Sequence, residues 1–166
     1  MASVTPAPFS PAPFGLLVMP TPTDLLNALI QHCRPALPTG TTLLKSGDAA
    51  DASLSLVWLE FWVDRMGVPV ARRVSPHQTD LSITVNCLGR PPTTPSQVQT
   101  LAETIRQQLT RLRLPVLQDT VAVDLLTLNE AEMRDLSRPA TQKSAGLRQW
   151  SVTVRGTLHP LATAPS

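Results

Sequence analysis

The sequence predicts an α+β domain in two layers, a mostly antiparallel sheet of four to five strands with two helices on one face. From Thr94 to Leu112, apolar side chains recur three and four positions apart, as in a helix with one buried face. Residues 81–88 and 148–158 alternate apolar with polar side chains, which is typical of half-buried strands. Such helices and strands bury their apolar sides by packing together in two layers.

The first helix is predicted to start at Thr21 or Thr23 and to end near Cys33. Thr21 suits the N-cap, Pro22 suits the first helical position, and Asp24 places a carboxylate near the positive end of the helix. The predicted apolar stripe of this helix is Leu25, Leu26, Leu29, Ile30 and Cys33.

Three strands are predicted between the two helices. Residues 54–64 and 81–88 show the alternating pattern of half-buried strands. Residues 70–74 are predicted to be a short edge strand, because the preceding Pro69 is acceptable only at an edge or at a strand start. Residues 38–52 are rich in Gly, Thr, Ser and Asp, which predicts a loop.

Strong start signals precede the second apolar stripe. Thr94 is the predicted N-cap, Pro95 takes the first helical position, and Gln97 closes a capping box. The helix is predicted to run to Leu112, ahead of Pro115. Its predicted buried stripe is Val98, Leu101, Ala102, Ile105, Leu109 and Leu112.

Two further strands, 121–128 and 148–158, are predicted to pair as a hairpin with an extended tip. The polar stretch between them, 129–146, is predicted to be mostly loop, with one helical turn at most. Loops of this length in compact domains are commonly functional or disordered. This tip is therefore a candidate contact surface.

The distribution of proline divides the chain into an extended arm (1–22), one α+β domain (23–160) and a flexible C-terminal tail (161–166). The tetrapeptide Pro-Ala-Pro-Phe occurs twice in the arm, ending at Phe9 and at Phe14. Proline-rich segments lack amide donors and prefer polyproline geometry. Two interpretations stay open, a disordered tail or an arm that anchors on a neighbouring subunit through the two phenylalanines.

Composition favours a soluble protein made inside the cell. The net charge of +2 does not indicate a nucleic-acid binder by itself. The longest apolar stretch, 54–63, is interrupted by Ser55 and Glu60 and is too short to cross a membrane. The first residues show no secretory signal pattern.

No motif predicts catalysis or a bound cofactor. His32, His77 and His159 have no second His or Cys at metal-ligand spacing, and the seven glycines form no phosphate-binding loop. We therefore expect no enzyme activity, no cofactor and no metal. Cys33 and Cys87 occupy predicted inward positions, which favours buried free thiols, and a disulfide would require their two elements to meet.

Two tryptophans mark one face of the predicted strand 54–64. Trp58 and Trp62 alternate with Glu60 and Asp64, opposite the apolar face of that strand. Exposed tryptophan is a common interface residue. The two interpretations are an interface, or a strand that the domain's own loops cover on both sides.

Basic side chains form the remaining candidate contacts. Three arginines near the end of the second helix complement its dipole or meet an acidic loop of a neighbour. Three more basic residues lie in the long loop. Direct DNA binding is disfavoured, since no aromatic residues are interleaved with them. The candidate residues are Arg106, Arg111, Arg113, Arg134, Arg138 and Lys143.

In the order and layout of three segments, the chain resembles the tail terminator proteins (minor tail or tail-completion proteins) of long-tailed bacteriophages. The three segments are residues 80–85, the amphipathic helix that follows them and the closing strand 150–157. The resemblance covers about residues 24–160. It implies a virion protein, usually a hexameric ring, that caps the tail tube and joins it to the head-side neck. Its implied partners are further copies, tube and neck proteins, with DNA passing through the ring and neither a membrane nor sequence-specific nucleic acid.

Two other function classes remain open. One is another neck or baseplate connector of a phage particle, which has the same lack of chemistry. The other is a small non-catalytic ligand-binding or regulatory module, whose sheet would bind a metabolite.

Overall fold

The computed structural model describes residues 20–46, 48, 55–67, 78–137 and 146–161. Predicted features outside these residues are most of the arm with Phe9 and Phe14, the edge strand 70–74, Arg138, Lys143 and residues 162–166.

The described residues form two α-helices, a 3₁₀ turn and seven strands. In chain order they are α1 (Pro22–Cys33), the 3₁₀ turn (Arg34–Ala36), β1 (Thr42–Lys45), β2 (Val57–Gly67), β3 (Thr79–Gly89), α2 (Pro95–Leu109), β4 (Arg113–Gln118), β5 (Val121–Leu128), β6 (Glu132–Asp135) and β7 (Arg148–Pro160). The predicted α+β class is confirmed, and the sheet has more strands than the predicted four to five.

All seven strands belong to one sheet: six follow the order β1-β2-β3-β7-β5-β4, and β6 pairs with β7 outside that order. Among the described strands, β1 and β2 pair in parallel and the other pairs are antiparallel. The long central strand β7 pairs with β3 along one side, and with β6 and then β5 along the other. The predicted pairing of 121–128 with 148–158 is therefore confirmed.

The sheet curls around the first helix. α1 contacts β2 near one end of the strand order and also β4 at the other end. β2 and β4 are four strand spacings apart, which would be about 19 Å in a flat sheet at roughly 4.8 Å per spacing. A single helix is narrower than that, so it contacts both strands only because the sheet is curled. α2 packs against the central strands β3 and β7. Both helices thus cover the same inner face.

The core lies between this inner face and the two helix stripes. Phe61, Ile83, Val85 and Val152 from the sheet are fully buried with Ile105 of α2. The other fully buried core residues named by the helix predictions are Leu25, Leu29, Cys33, Val98, Ala102 and Leu109.

Both predicted helix starts are confirmed. Thr21 accepts a hydrogen bond from the amide of Asp24 (3.2 Å), and the Asp24 carboxylate accepts one from the amide of Thr21 (2.9 Å). Thr94 and Gln97 form the same reciprocal pair at α2. Each box satisfies two amides that a helix start otherwise leaves unpaired.

The predicted end of α2 at Leu112 is wrong. The helix ends at Leu109, and Arg111 adopts a left-handed φ of 55°. The amide of Arg111 donates to the carbonyl oxygen of Asn129 at 2.8 Å, which turns the chain into β4. Pro115 lies within β4, and β4 is an edge strand, where a missing amide donor is tolerated.

Three strands were missed by the sequence patterns. β1 lies in the predicted loop 38–52, β4 directly follows the predicted end of α2, and β6 lies in the predicted loop 129–146. Glu132–Asp135 is mostly polar and shows no apolar alternation, because only pairing with β7 makes it a strand. The strand predicted at 54–64 is shifted and spans Val57–Gly67.

Cys33 and Cys87 lie in the core as free thiols. Burial raises the pKa of the Cys33 thiol to about 12, and burial together with the nearby Cys33 raises the pKa of the Cys87 thiol to about 12. The expectation of buried free thiols is confirmed. At neutral pH both stay protonated and unreactive.

Candidate functional site

The sheet face opposite the helices carries one row of side chains across four strands. In register, Trp62 of β2 lies beside Thr84, Thr153 and then Glu132 of β6. The hydroxyl of Thr84 donates to the carboxylate of Asp64 at 2.6 Å and lies 3.3 Å from the hydroxyl of Thr153. This row is polar, internally hydrogen-bonded and open at Trp62.

A second row lies beside the first on the same face. It runs from Glu60 through Asn86 and Ser151 to Arg134. The structure therefore places Arg134, a predicted contact residue, on the face that carries Trp62, and Arg134 is exposed.

The two predicted tryptophans have different surroundings. Trp58 is 5% exposed, whereas Trp62 is 42% exposed. The indole of Trp58 donates to Glu60 (2.9 Å), and the guanidinium of Arg90 lies 4.7 Å from its ring centroid, a cation–π geometry. Trp58 is thus covered by its own chain, which is the second of the two interpretations of this strand. Trp62 keeps an open surface.

The arginines predicted at the end of α2 do not form one patch. Arg106 lies on the helix and is half-buried, Arg111 lies in the turn after it, and Arg113 begins β4. Arg111 is 3.6 Å from the carboxylate of Glu130, and both side chains are exposed. Exposed pairs of this kind contribute little to stability.

The β4–β5 hairpin tip is a surface that sequence reasoning missed. We define it as residues 117–122. Leu117 is 48% exposed and Val121 is 60% exposed. Asp119 and Thr120 have φ angles of 48° and 74°, so the tip is a two-residue turn with both central residues left-handed. The sequence signal was weak, since Asn-Gly and Asp-Gly are the usual residues of such turns.

This tip extends beyond the sheet's central strand. The last pair of β5 with β7 is Asp124 opposite Pro160, and the amide of Leu161 then donates to Val123 at 3.0 Å. Val121 and the turn lie past that point. The exposed apolar side chains therefore project from one end of the sheet.

A groove lies at the opposite end. We define the α2 groove as the space between the first turns of α2, residues 36–41 and residues 55–57, with a volume of about 910 Å³. None of the described residues that line it is charged. Leu56 at its wall is 55% exposed. Its hydroxyl-bearing lining residues are Thr39, Thr41, Ser55, Ser96, Thr100 and Thr104.

Two carboxyl groups have perturbed acidity. Burial at the base of the hairpin raises the pKa of Asp124, and the neighbouring His159 partly opposes this. Hydrogen bonds from Ser137, including its amide at 2.8 Å, lower the pKa of Asp135.

Among the described residues, no three or more His, Cys, Asp or Glu side chains are grouped to hold a metal ion. Within the same part of the chain, neither helix has the length and hydropathy of a membrane span.

Comparison with protein families and with curated proteins finds no match. One solved chain, known by an identifier alone, is 10% identical, with a TM-score of 0.52, over 88% of this chain and 99% of that one. At that identity it shows a shared fold and nothing about function. A second solved chain is a sheath/tube terminator of an extracellular contractile injection system in the extended state. It is 13% identical over 90% of this chain and 63% of its own length, and its TM-score of 0.35 is too low to establish a shared fold.

Proposed function

We propose that this chain is a structural virion protein, a tail terminator whose copies form a ring that caps the tail tube and joins it to the head-side neck. The ring would be hexameric, as the family resemblance implies. The partners would be further copies, the tube and the neck, and the site of action would be the tail of a particle assembled in the host cytoplasm.

The observation that carries the proposal is a pair of unlike exposed surfaces at opposite ends of one sheet. One end carries the hairpin tip, with exposed Leu117 and Val121, and the other carries the α2 groove, whose described lining residues are uncharged and include the exposed Leu56. A ring requires two different patches on each subunit, because its contacts are head-to-tail. Large apolar side chains left exposed commonly mark such contacts.

The layout of the chain adds support. The strand at 80–85, the helix after it and the closing strand at 150–157 carry the resemblance to tail terminators, and β3, α2 and β7 occupy these positions as adjacent parts of the fold.

The proposal is tested by the mass and shape of the purified full-length protein. We expect a closed ring in native mass spectrometry and negative-stain images, at micromolar concentration or on addition of purified tail tubes. We also expect the protein to bind at tube ends. A strict monomer in both conditions would contradict the proposal.

A second candidate is a small ligand-binding module, which the α2 groove favours. Its volume of about 910 Å³ lies within the range of small-molecule sites, and hydroxyl groups line its walls. A monomer that binds a small polar metabolite in a thermal-shift screen would favour this candidate. Immunolabelling at the neck or baseplate, away from the tube end, would instead indicate another connector.

A further inference from the structure

We infer that the β4–β5 hairpin tip of one copy docks into the α2 groove of the next copy. This contact would be the head-to-tail interface of the ring, so the inference rests on the proposed function and deepens it by naming the two surfaces.

The occupant must be a second copy, because the two surfaces are far apart in one chain. At the groove end, Val57 pairs with Gly89, which pairs with Arg148 at the start of β7. The hairpin tip lies past Pro160, at the other end of this strand. β7 has 13 residues and so spans about 40 Å at roughly 3.3 Å per residue. A hairpin tip cannot fold back over that length to its own groove.

The two surfaces match in polarity. The tip presents Leu117 on one face of the hairpin and Val121 on the other, because Leu117 pairs with Ala122 and Val121 with Gln118. The apolar lining of the groove is Leu56, which is exposed, Leu37, which is half-buried, and Leu101, which is buried. A hairpin seated in the groove would cover the exposed area of Leu117, Val121 and Leu56, and burial of such area drives association. The contact therefore removes an exposed patch from each end of the subunit.

The polar groups of the two surfaces also match. β4 ends the sheet, so its outer backbone edge pairs with no other strand among the described residues. The amide and carbonyl groups of such an edge are available to pair with another chain. The hydroxyls of Thr39, Ser96, Thr100 and Thr104 line the groove and are able both to donate and to accept.

Charge favours the same pairing. Asp119 is the acidic residue of the tip and is exposed. The first turn of α2 borders the groove and contains no acidic residue, in contrast to α1, which holds Asp24 there. The capping box of α2 is made by the neutral side chains of Thr94 and Gln97, so no carboxylate in its cap or first turn compensates the positive end of the helix dipole, which favours the approach of a neighbour's carboxylate.

Cross-linking of mixed single-cysteine variants tests the contact. Copies carrying Val121→Cys are mixed with copies carrying Thr100→Cys and treated with a short bismaleimide. We expect a covalent dimer in the mixture and none in either sample alone. The native thiols contribute little background, since Cys33 and Cys87 are buried. As a matched control, Glu130→Cys, exposed near the other end of α2, replaces Thr100→Cys and should give no dimer.

A second experiment measures assembly without cross-linking. Leu117→Ser should stay folded and should raise the concentration of half-assembly at least ~10-fold, the effect of losing a central contact residue. Leu136→Ser, at another exposed leucine outside both surfaces, should leave that concentration unchanged. Circular dichroism establishes that both variants fold.

The outcomes separate this inference from the function on which it rests. A closed ring that gives no Val121–Thr100 cross-link and tolerates Leu117→Ser overturns the docking of the hairpin and leaves the ring intact. A ring that is lost only when residues 1–19 are deleted, with Leu117→Ser tolerated, also overturns it. A strict monomer, with and without tail tubes, overturns the proposed function itself.

Discussion

The centre of the sheet and the β4–β5 hairpin are built from the same kind of antiparallel pairing but have opposite relations to water. β3 and β7 pair without a break from Thr79 to Gly89, and their inward residues are buried. The hairpin is buried at its base and exposed at its tip, where Leu117 and Val121 face solvent. Centre and tip therefore differ in what their apolar residues do: those at the centre hold the fold, and those at the tip are available to a partner.

The largest effect is expected at the centre. Ile83→Ala removes a fully buried side chain of β3 and should lower the free energy of unfolding by about 2–5 kcal/mol. Urea denaturation followed by circular dichroism measures the change. Ser82→Ala, the adjacent residue on the outer face, is the matched control and should change stability by less than about 0.5 kcal/mol. Equal losses in the two variants would remove the distinction between the inner and outer faces.

A smaller loss is expected where β7 passes from its pairing with β6 to its pairing with β5. A Cβ at Gly156 would overlap the carbonyl oxygen of Thr127 and lie 2.6 Å from Cδ2 of Leu128. Gly156→Ala should therefore destabilise the fold by about 1–3 kcal/mol, as overpacking does. Gly67→Ala, where a Cβ meets nothing within 4 Å, is the control. Equal melting temperatures for the two variants would contradict close packing at β7.

The base of the hairpin should respond to pH through Asp124. Its pKa is raised by burial, so the folded state favours the protonated carboxyl, and this contribution to stability is lost as pH rises through the folded-state pKa. Asp124→Asn should therefore gain stability relative to the native protein between acidic and neutral pH. Thermal melts across that range measure the difference. A constant difference between the two proteins would show that Asp124 does not titrate differently on folding.

The smallest change in stability is expected at the hairpin tip. Leu117→Ser alters an exposed side chain and should change the free energy of unfolding by less than about 0.5 kcal/mol. A loss of more than 2 kcal/mol in urea denaturation would mean that the tip belongs to the core. This measurement on the monomeric subunit complements the assembly experiment above.

The sequence predicted the centre of the sheet well, because burial of one face of a strand or helix requires apolar residues at regular spacing. Alternation at 81–88 and 148–158 located β3 and β7, and the capping residues Thr21 and Thr94 located both helix starts. These signals arise within a few neighbouring residues, so no tertiary information is needed to read them.

The strands at the sheet's edges were missed for a physical reason. β4 follows α2 so closely that Leu112 continues the helical spacing, while the structure pairs it through its carbonyl with the amide of Leu128. β6 is mostly polar and becomes a strand only through β7. The candidate surfaces could not be predicted fully for the same reason, since they depend on residues far apart in the chain. The cover over Trp58 comes partly from Arg90, 32 positions further along the chain, which no local pattern reveals.

The curl of the sheet around α1 has a consequence for biosynthesis. The helix needs both β2 and β4 to cover it, and β4 is made about 80 residues after the helix ends. At a translation rate of roughly 5–20 residues per second, the apolar face of α1 stays incompletely covered in the nascent chain for about 4–16 seconds. Chaperone capture on the ribosome would be most useful in that interval.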